Sequence, residues 1–191
     1  MKLARMRFTR LICCIYHMIV SASAARLTHA LTIVDIASRY KEAEPLTDNS
    51  AADVAKALSC VYKRGPLTWP RLLQVDPGRE FMGAVNQLLA KHGVSVRRGR
   101  VDTHRDQGIV ERFNRTLVER LFGRQYAQEL LLAARGSSER SAKWLARLPA
   151  VITALNNEVT RLTGKKPKDA IRVKTVTQSP LPVTGVTTFQ Q

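Results

Sequence analysis

Two short acid-bearing segments constrain this chain more than any other feature of its sequence. In the first, the apolar run Leu72-Leu73-Gln74-Val75 stops at Asp76, and Pro77-Gly78 turns the chain. An acid at the carboxyl end of a strand projects where open α/β sheets hold their ligands. In the second, Ile109, Val110, Phe113, Leu117 and Leu121 recur at steps of three and four, the period of one helix face. Glu111 stands beside that stripe, not within it. Two carboxylates on rigid elements can share hard cations such as Mg²⁺, which take oxygen ligands and keep some waters. Each acid also has a plain structural use. Aspartate commonly caps turns, and Glu111 lies four residues before Arg115, the spacing of an intrahelical ion pair.

Charge narrows the class of partner. The 191 residues are enough for one domain with its own core. Lys and Arg number 31 against 15 acids, a formal net charge of +16. That balance points to a polyanion, nucleic acid first and an anionic membrane second, against a bland alternative of a nonspecific basic protein. Cys13, Cys14 and Cys60 have neither metal-ligand spacing nor a disulfide framework, which fits a reduced, intracellular setting.

Residues 1–25 have the outline of a signal peptide: a basic start, the apolar run LICCIYHMIV, then Ser21-Ala22-Ser23-Ala24. His17 and the basic, cysteine-poor remainder argue against secretion. The run is also shorter than the roughly 20 residues a spanning helix needs, so no membrane partner is expected.

Along the body, Ala30 to Ile36 reads as a buried strand and Tyr40 to Leu46 as a second, joined by a turn at Ser38-Arg39. Asp48-Asn49-Ser50 forms a helix N-cap cluster. The helix after it buries Val54, Ala57, Leu58 and Val61 and stops at Gly65. A helix from Glu80 to His92, a short strand Val94–Val96 and a loop from Val101 to Gln107 lead to the Glu111 helix. Gly136-Ser137-Ser138 breaks the chain before a last helix, Ser141 to Leu162, which Pro149 kinks or restarts. The Thr-, Val- and Pro-rich end, 173–191, reads as a loose tail. Strands followed by alternating helices predict an α/β domain with a mixed sheet.

With VDPGREF (75–81), QGIVERFNRTL (107–117), Trp144, Leu148, Asn156 and TGKKPKDAI (163–171) in view, the chain resembles the catalytic core of retroviral-type integrases and the related integrases of retrotransposons and DNA transposons. The resemblance covers about Leu31 to Ile171. It implies a ribonuclease-H-like fold, a mixed β-sheet flanked by helices, with the core spanning 30–172. It implies DNA 3′-end processing and strand transfer by three acids with Mg²⁺ or Mn²⁺, DNA as partner, homo-oligomers and a nuclear location. Carried onto this sequence, Asp76 and Glu111 are the expected catalytic and metal-binding acids.

The first acid of that set is missing. VDIASRY (34–40) is similar to the family's second-strand turn, so Asp35 is expected to be structural and only secondarily a metal ligand. Residues 1–29 contain no acid at all. Read two bases on, the codons of Leu11 to Ile19 permit an acid-bearing strand, so 1–29 are read as an atypical segment, frame-shifted or mis-spliced. The alternative to an integrase-type enzyme is therefore a non-catalytic DNA-binding relic or domesticated transposon protein.

Arg97, Arg98, Arg100 and Arg105 flank the 101–107 loop and are expected to track a DNA backbone; a solvated basic face is the plainer use. Arg115 is placed to meet a phosphate, and Asn114 to bond either DNA or the loop. Trp144, at helical spacing with Leu148, belongs to the core.

Overall fold

The computed structural model describes residues 10–17, 29–98, 104–135 and 144–173. Among these, the strands form one five-stranded sheet: β1 (Arg10–His17), β2 (His29–Asp35), β3 (Lys41–Leu46), β4 (Leu72–Val75) and β5 (Ser95–Arg98). Their order is β3–β2–β1–β4–β5. The first three strands form an antiparallel meander, while β4 and β5 join β1 in parallel. The mixed sheet expected from sequence is thus present. Its central strand, β1, is the apolar run whose composition imitates a signal peptide.

Side-chain alternation sorts the sheet into two packed faces. Leu11, Cys13, Leu31, Ile33, Leu73 and Val75 bury against α1 (Ala51–Arg64) and α2 (Ala84–Lys91). Ala30, Val34 and Ala43 bury against α3 (His104–Ala134) and α4 (Trp144–Asn157). Nearly every residue of β2 is buried, which explains why it reads as a continuous apolar run and not as an alternation. Trp144 is fully buried in the second layer, as its spacing predicts.

The caps of α1 follow the sequence closely. Ser50 accepts from the Asp53 amide, and Asp53 in turn accepts from the amides of Thr47 and Asp48. Gly65, at φ 70°, takes the left-handed conformation that ends the helix, and its amide donates to Val61.

Four boundaries differ from expectation, each for a local reason. The helix expected from Glu80 to His92 is a 3₁₀ turn, Arg79–Phe81, and then α2. Gly83 at φ 50° breaks it, while Phe81 is fully buried beneath the turn. The last strand starts at Ser95 and not Val94, because the Val94 amide donates to Leu89 and closes α2. The Glu111 helix begins at His104, inside the expected loop. The last long helix stops at Asn157. There Thr160 to Lys165 form a turn around Gly164 at φ 62°, followed by α5 (Pro167–Ala170). The Gly136–Ser138 break, Ser141, the tail from 174 onward and Arg100 lie outside the described residues.

Candidate metal and nucleic-acid site

Asp76 follows β4 directly and is half-buried. Leu73 and Val75 point into the α1–α2 layer, so Gln74 and Asp76 have the opposite parity and belong to the face that carries α3. Beyond Asp76 the chain turns at Pro77-Gly78. Glu80 folds back over Gly78, where its carboxylate fills the space a β-carbon would take. A glycine with an acidic-aromatic pair after the strand-end acid therefore has a packing reason. Gly78 admits Glu80, and Phe81 anchors the turn in the core.

Glu111 lies in the second turn of α3 and is exposed, while Val110, Phe113, Asn114 and Leu117 bury beneath it. α3 packs across β1 and β2. Asp76 therefore has the parity of the sheet face on which α3, the helix of Glu111, packs. Glu111 and Arg115 are both exposed and, among the described residues, do not form the i,i+4 ion pair that their spacing allows. Asn114 is 4% exposed on the helix side facing the sheet, a position that suits core packing better than contact with a long polyanion.

Asp35 is placed elsewhere. It pairs with Leu11, which pairs with Leu73, so it sits three residues before the level of Asp76 and two strands away. Strand geometry converts this to about 10 Å along the sheet and about 10 Å across it. Asp35 also has the parity of Leu31 and Ile33, the α1–α2 side. Its carboxylate is fully buried and accepts from the Ser38 amide at 3.0 Å and from the Ser38 hydroxyl. Its backbone closes the turn, with Asp35 N donating to Tyr40 O and Asp35 O accepting from Arg39 N. These bonds commit one carboxylate oxygen of Asp35 to the turn that VDIASRY spans.

The edge strand β5 supplies the basic surface. Arg97 and Arg98 are exposed and in register with Gln74 and Val75, so they end beside the Asp76 turn. Arg98 donates to Asn86 at 3.3 Å. Arg105 lies in the first turn of α3. Arg79, Arg112 and Arg115 add exposed guanidinium groups on the turn and on α3.

A second charged region lies along the middle of α3. Lys41 is pushed down to about 8, chiefly by burial and then by the nearby Arg39, with Glu158 opposing. Arg39 is likewise held below its ordinary value by burial, with Asp35 opposing and Arg112 adding to the effect. Arg120 reaches from α3 to a bidentate pair with Glu158. Sequence reading missed this region because it is assembled from residues far apart in the chain.

The donor set can be tested against the hard divalent metal that the resemblance implies. Two-metal chemistry needs several carboxylates to hold both ions. Among the described residues, no group of three or more His, Cys, Asp or Glu side chains comes together to bind a metal ion. The β1–β4 register ends at Cys13 opposite Val75, so the next position, beside Asp76, is Cys14. Sulfur suits softer metals than Mg²⁺. Among the described residues, the side chains do not make up a two-magnesium centre.

The mixed five-stranded sheet in this order, with helices on both faces and an acid closing the strand beside β1, defines a ribonuclease-H-like domain. The likeness extends to a solved structure, the catalytic core domain of BIV integrase. The match has a TM-score of 0.60 and 22% identity and covers 84% of this chain and 91% of that one. A transposon-derived protein of Caenorhabditis elegans is 33% identical over 161 residues, 84% of this chain. The chain spans about half, 51%, of that relative's length. No protein-family model matches the sequence. The chain is thus an integrase-like core in fold, with a transposon-derived relative. Among the described residues, no helix is long and apolar enough to cross a membrane.

Proposed function

We propose that this chain is a DNA-binding core of integrase type that binds duplex DNA but does not carry out strand transfer. The observation that carries this reading is the pairing of a basic edge with an incomplete acid set. Arg97 and Arg98 lie exposed beside the Asp76 turn, with Arg115 on α3, while the strand position next to Asp76 is a cysteine. The net charge of +16 and the transposon-derived relative support DNA as the polyanion. Arg100 and Arg105 extend the same basic stretch in sequence. A charged edge also guards β5 against pairing with other strands, so charge reversal alone does not separate the two uses.

Salt dependence does. Affinity for a labelled duplex should fall steeply with ionic strength, with a log–log slope shallower by about 0.9 for each phosphate contact removed. R97A/R98A is expected to flatten the slope by close to two such steps while leaving the unfolding midpoint within about 0.5 kcal/mol of the parent. Joining of a pre-cut DNA 3′ end should give no product with Mg²⁺ or Mn²⁺. Metal-dependent product that disappears in D76N would restore the catalytic reading. Salt-insensitive binding, or none, would remove DNA as the partner.

A further inference from the structure

We propose that the β2–β3 turn and α3 together form an oxyanion site, in which Arg39, Lys41 and Arg112 hold one phosphate group. The turn joins the two strands farthest from β5 in the sheet, so this site is separate from the basic edge and does not rest on its DNA reading.

The cations here outnumber the acids that could match them. Backbone bonds between Asp35 and both Arg39 and Tyr40 close the turn and place Arg39 at φ 62°. Glycine takes that left-handed conformation freely, whereas an arginine is strained there. The Lys41 amine donates to the Arg39 carbonyl at 3.0 Å, which keeps its charge beside the turn. α3 packs on β2, and from it Arg112 acts on Arg39 as a like charge. Arg112, Thr116 and Arg120 follow at steps of four along one helix stripe, and Arg120 acts on Lys41.

The acids within reach are already engaged. Glu158 takes Arg120 in a bidentate pair. Asp35, the carboxylate that acts on Arg39, accepts from Ser38. Arg112 has no acid three or four residues away on its own helix. Among the described residues, neither the Arg39 nor the Arg112 guanidinium has a hydrogen-bond or ion-pair partner. Like charges gathered this way, with Arg39 half-buried, cost stability that a shared anion offsets. Burial holds Arg39 and Lys41 below their ordinary values, and like charge adds to it, so an anion relieves a cost built into the fold. A phosphate group matches the donors: guanidinium forks bind its oxygens in bidentate fashion, and the ammonium adds a point charge. Free inorganic phosphate and a nucleic-acid phosphate share this chemistry.

The test titrates inorganic phosphate into the full chain at neutral pH, against chloride of equal ionic strength, and reads the urea midpoint. The wild-type midpoint should rise saturably with phosphate. R39G and R112A should each weaken the apparent affinity at least tenfold. Both should remain folded in chloride, because glycine suits φ 62° and Arg112 is exposed. The same proteins are then compared for binding to a labelled duplex. If phosphate stabilises the wild type and not the variants, the site takes the free ion. If phosphate stabilises none of them, but each variant flattens the log–log salt slope of duplex binding by about 0.9, the site takes a nucleic-acid phosphate. Either result sustains the proposal. An equal response to phosphate in all three is a general effect of the salt and counts as none. No response specific to Arg39 and Arg112 in either assay overturns the site. R97A/R98A should keep the wild-type response to phosphate, so failure of the β5 reading leaves this site standing.

Discussion

Asn156 shows how much one side chain can hold. From α4 its Oδ1 accepts from the Lys41 amide at 3.0 Å, and its Nδ2 donates to the Lys41 carbonyl at 2.8 Å. One carboxamide thereby satisfies both outward backbone groups at the start of the edge strand β3 and pins the strand to the helix layer. N156A removes both bonds and leaves two half-buried backbone groups without them. A loss of about 1–3 kcal/mol is expected, read as a lower urea midpoint with an unchanged m-value. The residue it clamps titrates. Below about pH 8 Lys41 is charged in both states, and folding bears the cost of burying the ammonium. Between about 8 and its ordinary 10.5 the unfolded chain holds the extra proton, so stability rises with pH across that window. K41M should erase this rise, measured as the difference between the two proteins in urea unfolding at successive pH values. Tyr40, pushed up to about 12 by burial and then by Glu42, acts in the opposite sense at higher pH. It does so in both proteins and cancels in the difference.

Among the elements, α4 carries an avoidable cost. Pro149 stands inside Trp144–Asn157, where it cannot donate to the carbonyl one turn back, yet the helix continues. Packing explains why: Trp144, Leu148, Ile152 and Leu155 bury on one face, and Pro149 is on the exposed side. Its carbonyl still accepts from Thr153 Oγ1 at 2.8 Å. P149A should restore the missing bond and raise stability by about 1–3 kcal/mol, seen as a higher urea midpoint, since nothing packed on the proline is lost. α3 illustrates the limit of periodicity. Its inward stripe was legible from Val110 to Leu121, but its start at His104 was not, because polar residues carry no phase. β1 was hidden for the converse reason. An apolar run between basic and small residues fits a signal peptide and a central strand equally well until its neighbours are known.

At the scale of the whole molecule, the two sheet edges serve different ends. At β3, Arg64 from α1 bonds Glu42 at 2.9 Å and Glu44 at 2.8 Å, tying the helix layer to the strand. Burial raises the Glu42 carboxyl above its ordinary value, and the Arg64 bond opposes it. At β5, Arg97 and Arg98 are exposed, Arg97 with the parity of Gln74 and Arg98 bonded to Asn86 of α2, and the DNA reading depends on that edge. The sequence by itself determined the α/β class, the identity of the core helices and the two acid segments, because periodicity, caps and strand-end acids are local signals. VDIASRY also marked Asp35 as a turn residue, through its likeness to the family's second-strand turn, and Asp35 does bond Ser38 three residues on. What only the tertiary structure decided is which residues share a level of the sheet. Asp76 is beside Cys14, Asp35 is about 10 Å away along the strands, and Asn156 reaches Lys41 across more than a hundred residues of chain. Register is fixed by how buried faces mate between strands distant in sequence, and no window of residues along the chain contains that information.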